Sequence, residues 1–300
     1  MKKLLHNKTL AAKVSVFSNS SLIILKFAVG IISGSISIIS EAIHSCSDLL
    51  ASVIALFSVN KSEQPADSDH QFGHGKYEDF SGLIEGSLII LAALYIIYEV
   101  IQKLLCHSNT ISNTNLAIAV MFASVLLNII VSSYIFVVAK NTDSIALFAD
   151  AEHLRTDIYS SLAVFLGLVC IKFTGLHVLD PVIAIIVAVI IIHAGWKICK
   201  EATNNLLDGS LPEQNIETIK ELIEKYKSDG ITGIKDIKTR KSGKNKDIII
   251  TLFLDGNKTI TYAHTLCDKI EKDIENTLGN TDVTIHVEPM NCAEELNTAN

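Results

Sequence analysis

Six long apolar stretches fill the first two thirds of this 300-residue chain and constrain its fold more than any other feature. Each has about 20 mostly apolar residues, the length that an α-helix needs to cross roughly 30 Å of membrane hydrocarbon. The sequence therefore predicts an all-α bundle of six transmembrane helices. Their ranges are Val14–Ile32, Ile36–Val59, Phe80–Leu105, Leu116–Ala139, Ser144–Ile171 and Pro181–Cys199.

Charge is distributed unevenly along the chain. Residues 1–199 hold 26 Asp, Glu, Lys and Arg side chains, whereas residues 200–300 hold 31, of which 13 are basic and 18 acidic. This contrast predicts a membrane domain over 1–207, a soluble domain over 208–290 and a disordered tail over 291–300. An acidic soluble part disfavours nucleic acid as a partner.

The lysines indicate how the chain lies in the membrane. Most lysines near helix ends fall on the side that carries both termini, and cytoplasmic loops are the ones enriched in basic residues. We therefore expect a multi-pass protein of the plasma (inner) membrane with both termini in the cytoplasm. No A-x-A-like cleavage site follows the first apolar run, so we expect the first helix to be retained.

The soluble part has alternating helical and strand patterns. Residues 212–227 and Thr261–Leu278 have the apolar spacing of helices, while Ile231–Thr239, Asp247–Asp255 and Asp282–Glu288 are rich in β-branched residues. The order αββαβ predicts a small two-layer α+β domain.

The second and fifth apolar stretches carry charged groups that are expensive at membrane depth. In EAIHSCSDLLAS, His44 and Asp48 are four residues apart, and DAEHLRTD repeats this spacing with His153 and Asp157. Side chains at i and i+4 lie on one helical face. Two imidazoles and two carboxylates provide the four N/O ligands of a tetrahedral metal site. The alternative is a structural role, in which these groups pair with one another or line a wet cavity.

Two further acids lie close to these pairs in sequence. Glu41 precedes His44 by three residues, and Asp150 precedes His153 by three, so each shares roughly the face of its neighbour. We interpret Glu41 as a pathway or packing residue and not as a ligand.

A second polar cluster, DSDHQFGHGKYED, lies between the second and third stretches. Asp67, His70 and His74 are spaced by three and four residues, with Asp69 nearby. This pattern is compatible with a weaker, exposed metal site, and the alternative is an ordinary solvated loop.

A third set of candidate ligands lies in the soluble part. His286 and Glu288 are two residues apart on the last predicted strand, so they share a face. His264 opens the preceding helix, and only the fold can bring it near them. We therefore treat these three residues as a possible regulatory metal site.

Several motifs, taken together and in this order, resemble those of the cation diffusion facilitator family. They are SGSISIISEAIHSCSDLLAS, PADSDHQFGHGKYE, ADAEHLRTD, LLDGSLP and DVTIHVEP. The resemblance extends from about Ala12 to Pro289. It implies a dimeric, proton-coupled exporter of divalent metals with six membrane helices and a cytosolic ferredoxin-like domain.

The resemblance also implies roles for particular residues. His44, Asp48, His153 and Asp157 match the family's transport site, and Asp67, His70 and His74 match a loop site of bacterial relatives. Lys76 and Asp208 match a charge pair that joins two protomers. His264, His286 and Glu288 match part of a cytosolic metal cluster.

The sequence departs from the family pattern at a few of these positions. Lys235 and Thr251 stand where iron and zinc efflux relatives carry histidines. A lysine ammonium repels cations and cannot ligate them, so we expect a weaker cytosolic site. His44 stands where those relatives have aspartate, which is the pattern of zinc-type members.

The residues and the resemblance together predict export of Zn²⁺ in exchange for protons. Imidazole and carboxylate ligands favour Zn²⁺ over Mg²⁺ or Ca²⁺, but Fe²⁺, Cd²⁺, Co²⁺ and Mn²⁺ stay open as main substrates. An intramembrane metalloenzyme is disfavoured, because the chain has no HExxH motif and four protein ligands leave no open coordination position. A membrane metal sensor that does not transport is the other alternative.

Overall fold

The computed structural model describes residues 6–33, 36–106, 115–174 and 179–290. Within these ranges some helix side chains, including those of Glu41 and His44, lie outside the described residues, as does the tail 291–300. The chain divides into two compact units, Met1–Thr203 and Asn204–Asn300.

Within its described residues, the first unit contains six long helices, in the order that the apolar stretches predict. Four of them are long and apolar enough to cross a membrane within the described residues: α1, α3, α4 and α6. The remaining two, α2 and α5, carry the charged candidate residues. The bounds are α1 Lys8–Ser33, α2 Ile36–Ser62, α3 Lys76–Cys106, α4 Asn115–Thr142, α5 Ile145–Thr174 and α6 Leu179–Leu206.

These helices extend beyond the apolar stretches at the end of the unit that holds the α2–α3 and α4–α5 loops. Helix α1 begins at Lys8 instead of Val14, and α6 continues past Cys199 to Leu206. Hydropathy detects only the part of a helix that matches the hydrocarbon, whereas local signals set its true end. At α1 that signal is Asn7, whose Oδ1 accepts a hydrogen bond from the backbone N–H of Leu10 at 2.8 Å and caps the helix.

Small residues allow two of the helices to pack closely. A Cβ atom added to Gly195 of α6 would lie 2.9 Å from the carbonyl oxygen of Gly86 on α3, closer than real Cβ contacts. Glycine at both positions therefore permits the close backbone approach that is common between membrane helices.

An apolar cluster fills the space between α1, α2, α4 and α5. Its buried members come from all four helices, and partly buried residues such as Leu56 and Phe148 pack around them. We call it the apolar plug. Its buried members are Ala11, Ala12, Val59, Val131, Ile135, Val138, Ala139, Ala146, Leu147, Ala151 and Leu154.

The second unit is a small α/β domain whose elements follow the predicted order αββαβ. A three-stranded sheet has the order β1-β2-β3, with β1 antiparallel to β2 and β2 parallel to β3. The elements are α7 Glu213–Glu224, β1 Ile231–Ser242, β2 Asn245–Asp255, α8 Ile260–Leu278 and β3 Thr281–Met290.

Alternation along β2 separates the two faces of this sheet. Ile248, Ile250 and Leu252 are buried in a core with residues of α7 and α8, whereas Ile249 is half exposed on the other face. That second face, which we call the open face, also carries His286 of β3 beside Thr251 of β2. Two of the three candidate ligands of the soluble unit, His286 and Glu288, therefore lie on the face of the sheet that its helices leave uncovered, whereas His264 lies on α8.

Candidate metal centre

The contact between α2 and α5 places a carboxylate against an imidazole inside the helical unit. His153 Nε2 of α5 lies 3.3 Å from Asp48 Oδ1 of α2, and both residues are only 7% exposed. Asn19 of α1 supports the same turn of α2, because its amide nitrogen donates to the backbone carbonyl of Asp48 at 3.4 Å. The structure thus joins one member of each HxxxD pair.

The other two members of these pairs are less fully described. Asp157 lies one turn beyond His153 on α5 and is half buried. His44 belongs to α2, but its side chain lies outside the described residues, as does that of Glu41. The structure therefore shows the Asp48–His153 half of the predicted four-ligand site.

Several buried polar atoms near this contact have no hydrogen-bond partner within the described residues. They include His153 Nδ1, one carboxylate oxygen of Asp150 on α5 and one of Glu85 on α3. The other Glu85 oxygen accepts a hydrogen bond from Ser81 at 2.9 Å. Buried polar groups without partners are costly, so this region has capacity for a cation or for protons.

The loop between α2 and α3 brings three candidate ligands together. One ligating atom from each of Asp67, His70 and His74 lies within 4.8 Å of the other two, and this is the one such group within the described residues. His70 Nδ1 is 3.4 Å from one Asp67 oxygen, and His74 Nε2 is 3.3 Å from the other. Asp67 and His70 are exposed, whereas His74 is buried.

Short-range hydrogen bonds give the loop this shape. Asp67 Oδ1 accepts from the backbone N–H groups of His70 at 2.7 Å and Asp69 at 3.0 Å, forming an Asx-type turn. Gly73 then takes a positive φ of 80°, which glycine adopts without strain. The hydrogen bond from the His70 backbone lowers the pKa of the Asp67 carboxyl below its usual value.

The His74 ring is oriented as a metal ligand would be. Its Nδ1 lies 3.2 Å from the carbonyl oxygen of Pro65, which can only accept, so Nδ1 carries the proton. In the neutral ring with its proton on Nδ1, the lone pair of Nε2 faces the Asp67 carboxylate. Two acceptors facing each other are satisfied by a cation between them, and a second-shell carbonyl of this kind is usual for ligating histidines.

The soluble unit does not bring its three predicted ligands into one group. Lys235 Nζ lies 2.7 and 2.8 Å from the two oxygens of Glu288, while His286 Nε2 is 4.0 Å from that carboxylate. His264 instead faces Asp268 on its own helix, at 3.4 Å. An ammonium group therefore lies where a cation shared by Glu288 and His286 would bind.

The predicted charge pair between protomers involves residues of different units. Lys76 is the first residue of α3 in the helical unit, and Asp208 belongs to the soluble unit. Within the soluble unit, an Asp208 oxygen lies 3.6 Å from Arg240 Nη1.

Sequence reasoning missed several buried polar contacts in the helical unit. Glu78 of α3 is buried against Lys8 of α1 at 2.7 Å, and Lys26 Nζ donates to Ser45 Oγ between α1 and α2 at 2.7 Å. The available signal was a charged residue within or next to an apolar helix, a position where charges are usually paired or functional. The identity of the partner required the fold.

The buried carboxylate–imidazole contact and the ligand-bearing loop, in a unit with four helices long enough to cross a membrane, are features expected of a membrane transporter of metal cations. The chain belongs to the cation diffusion facilitator family. Residues 12–207 match the family "Cation efflux transmembrane domain", and residues 211–290 match "Cation efflux protein, cytoplasmic domain". This confirms the predicted family, which is a family of transporters rather than of enzymes.

Two relatives are similar in sequence to this chain over most of its length, and a solved structure is similar to part of it. An uncharacterized transporter of Synechocystis, sll1263, is 33% identical over 266 residues, covering 89% of this chain and 85% of its own. The cation-efflux pump FieF of Salmonella paratyphi A is 29% identical over 279 residues, covering 93% and 92%. A solved chain of the proposed zinc transporter CzrB in its zinc form is 29% identical over 27% of this chain and 90% of its own, with a TM-score of 0.26.

Proposed function

We propose that this protein exports divalent metal ions from the cytoplasm in exchange for protons, with Zn²⁺ as the main substrate. The observation that carries the proposal is the 3.3 Å approach of His153 Nε2 to Asp48 Oδ1 between α2 and α5. The description of a close relative as a cation-efflux pump supports the outward direction. The proposed ligands of the transported ion are His44, Asp48, His153 and Asp157.

The choice of metal follows from the chemistry of the donor set. Two imidazoles and two carboxylates suit a borderline-soft ion that accepts tetrahedral coordination, as Zn²⁺ does. Mg²⁺ and Ca²⁺ prefer shells made of oxygen alone. Fe²⁺, Co²⁺, Cd²⁺ and Mn²⁺ are the alternatives, since affinity order alone does not separate them from zinc.

Exchange with protons follows from the same ligands. Imidazole and carboxylate groups bind a metal only after losing their protons, so protons and metal compete for one site. When the site faces a more acidic exterior, protonation of His153 and its neighbours would release the metal. When it faces the cytoplasm, the protons would leave and a new ion would bind. The helices would alternate access by rocking around the site.

The loop and the soluble unit would have accessory roles. Asp67, His70 and His74 are proposed to bind a second, exposed metal ion, because their ligating atoms already converge. The soluble unit, proposed to be ferredoxin-like, would form the homodimer that the match to a dimerising cytoplasmic domain suggests. Its metal dependence would be weak, since Lys235 neutralises Glu288.

The membrane arrangement completes the proposal. All six helices would span the plasma (inner) membrane, with both termini and the Asp67 loop in the cytoplasm, as the lysine distribution favours. Lys76 and Asp208 would form the charge pair between protomers.

A flux measurement on the reconstituted protein tests the proposal. Liposomes holding a pH indicator should show proton movement when Zn²⁺ is added, and Asp157→Ala should abolish it because one ligand is lost. Glu63→Ala, which removes an exposed carboxylate of the same unit, should transport normally. Fe²⁺, Co²⁺, Cd²⁺ and Mn²⁺ are run in parallel to rank the substrates.

The same measurement separates a transporter from a sensor. Zinc binding without any proton or metal flux in the wild-type protein would refute export and favour the non-transporting alternative. Flux in Asp157→Ala equal to the wild type would refute the proposed ligand set.

A further inference from the structure

One buried carboxylate joins four segments at the end of the helical unit where α1 and α5 begin. Glu78, in the first turn of α3, is 1% exposed. Its Oε1 accepts from Lys8 Nζ of α1 at 2.7 Å and from Ser62 Oγ of α2 at 2.7 Å. Its Oε2 accepts from the hydroxyl of Ser144, the residue before α5.

These contacts make the carboxylate fully satisfied at a buried position. Lys8 is 4% exposed, so both ions of the pair are removed from water. Removing one partner of a buried ion pair leaves an uncompensated charge, in contrast to a surface pair, which contributes little. Glu63 provides a comparison at the same end of the unit, since it is exposed and its carboxylate accepts a hydrogen bond from the Thr9 hydroxyl at 3.4 Å.

The two serines connect Glu78 to the helices that carry the proposed transport site. Ser62 is the last residue of α2, which carries Asp48, and Ser144 precedes α5, which carries His153. At about 1.5 Å per helical residue, Ser62 lies about 21 Å along α2 from Asp48, and Ser144 lies about 13 Å along α5 from His153. Glu78 therefore cannot touch the metal and can affect the site only through the two helices.

The apolar plug lies along the same helices between this carboxylate and the site. On α2, Val59 is fully buried, and on α5, Ala146, Leu147 and Ala151 are fully buried. A hydrated or partly hydrated ion cannot pass through close-packed apolar side chains without separating them. A path to His153 through the apolar plug therefore requires its helices, α2 and α5 among them, to move apart, which the Glu78 bridge opposes.

We infer that Glu78 is a positioning residue for transport: it holds α2 and α5 together at this end and must release at least one serine before a metal ion can reach Asp48 and His153 from that side. The hydroxyl bonds are the ones that break most easily, because water can replace a serine donor. The ammonium of Lys8 stays with the carboxylate and keeps its charge compensated. This inference rests on the proposed function for its meaning, but its test does not require metal flux.

The test measures access to the apolar plug in the full-length chain. The six native cysteines are replaced, a single cysteine is placed by Ala146→Cys, and the protein is reconstituted in liposomes. Labelling by a membrane-impermeant maleimide is followed separately from each side of the membrane. Glu78→Gln should raise the labelling rate roughly tenfold from the side of the membrane on which α1 and α5 begin, because it removes a charge-assisted bridge.

Matched variants separate positioning from general damage. Glu63→Gln removes an exposed carboxylate at the same end and should leave the labelling rate unchanged, and Glu78→Asp should restore part of the slow rate. In transport, Glu78→Gln should lower both KM and kcat, since the site faces the cytoplasm for longer and returns more slowly. A misfolded protein would lose activity without a lower KM.

A second variant keeps the test decisive if Glu78→Gln does not fold. Ser62→Ala deletes one hydroxyl and leaves the Lys8 pair intact, and it should raise the labelling rate at least threefold. Equal labelling of wild type and of a monodisperse Glu78→Gln or Ser62→Ala protein would overturn the inference. Faster labelling of these variants, combined with a wild-type protein that moves no metal, would support the inference and refute the proposed export.

Discussion

Replacing Lys235 by histidine should create a metal site on the open face of the soluble sheet. In the present structure the Lys235 ammonium lies 2.7 and 2.8 Å from the two Glu288 oxygens, and His286 Nε2 lies 4.0 Å from that carboxylate. An imidazole at position 235 would remove the positive charge and add a third ligand beside the other two.

The size of the effect can be worked out from exposure and binding. The side chains of Lys235 and Glu288 are 50% and 32% exposed, so losing their ion pair should cost about 0.2–1 kcal/mol. A ligand present at a hundred times its dissociation constant stabilises the folded state by about 2.7 kcal/mol. Within the Lys235→His protein, this zinc-dependent gain of about 2.7 kcal/mol corresponds to a rise in Tm of about 11–22 °C for a domain of this size, and the lost ion pair lowers the zinc-free Tm from which that rise begins.

Thermal unfolding of the soluble unit, residues 204–290, with and without Zn²⁺ measures this directly. The unit has its own apolar core, which makes the isolated fragment a reasonable sample. The Lys235→His protein should show the full rise, whereas the wild type should change by less than about 2 °C. Lys235→Gln, which removes the charge without adding a strong ligand, is the matched control.

Two results would refute this reasoning. A zinc-dependent rise in the wild type equal to that of Lys235→His would mean that the ammonium does not exclude the metal. No rise in Lys235→His, with its fold intact by circular dichroism, would mean that the three positions do not converge.

Three further outcomes are expected. The pKa of Asp67 is lowered in the folded protein, so the stabilisation from its turn should be present above the unfolded pKa of about 3.9 and be lost only as pH falls through the lower folded pKa. Zinc binding should be lost at a higher pH, since imidazoles must be unprotonated to ligate. NMR of the loop amides should therefore show the turn intact at an acidic pH where calorimetry no longer detects zinc binding. Ile250→Ala should lower the unfolding free energy of the soluble unit by about 2–5 kcal/mol in urea denaturation, as the side chain is fully buried. Gly195→Ala should lower the free energy of unfolding of the detergent-purified protein by about 1–3 kcal/mol, because the added Cβ would lie too close to the Gly86 carbonyl oxygen. A thermal melting curve equal to that of the wild type would contradict this.

The sequence predicted the elements of both units because each depends on a local pattern. Long apolar runs identify membrane-length helices, and β-branched alternation identifies the strands of the soluble sheet. The helix ends differed because residues such as Asn7 and Lys8 lie outside the apolar runs yet continue or cap a helix. Hydropathy alone carries no information about such polar ends.

Locality also explains which site features could be anticipated. The Asp67 loop spans eight residues, and backbone hydrogen bonds within it set the positions of His70 and His74, so spacing alone pointed to their convergence. The Asp48–His153 contact joins residues 105 apart. Only the repeated i,i+4 pairing on two helices suggested that these residues meet, and nothing local could supply their distance.

The Lys235–Glu288 and Lys8–Glu78 ion pairs, which sequence reasoning missed, join residues that are far apart in sequence and meet only through tertiary packing. Lys235 was expected to repel a cation, which follows from its charge alone, but its bond to Glu288 depends on strand register between β1, β2 and β3. The Glu78 bridge depends on Lys8, 70 residues earlier, and on Ser144, 66 residues later. A charged residue in or next to an apolar helix indicates that its side chain has a partner in the fold, because an unpaired buried charge is too costly. The identity of the partner depends on tertiary packing. In this protein the packing gives Glu78 two hydroxyl donors, one at the end of α2 and one directly before α5, the two helices that the proposed transport cycle must separate.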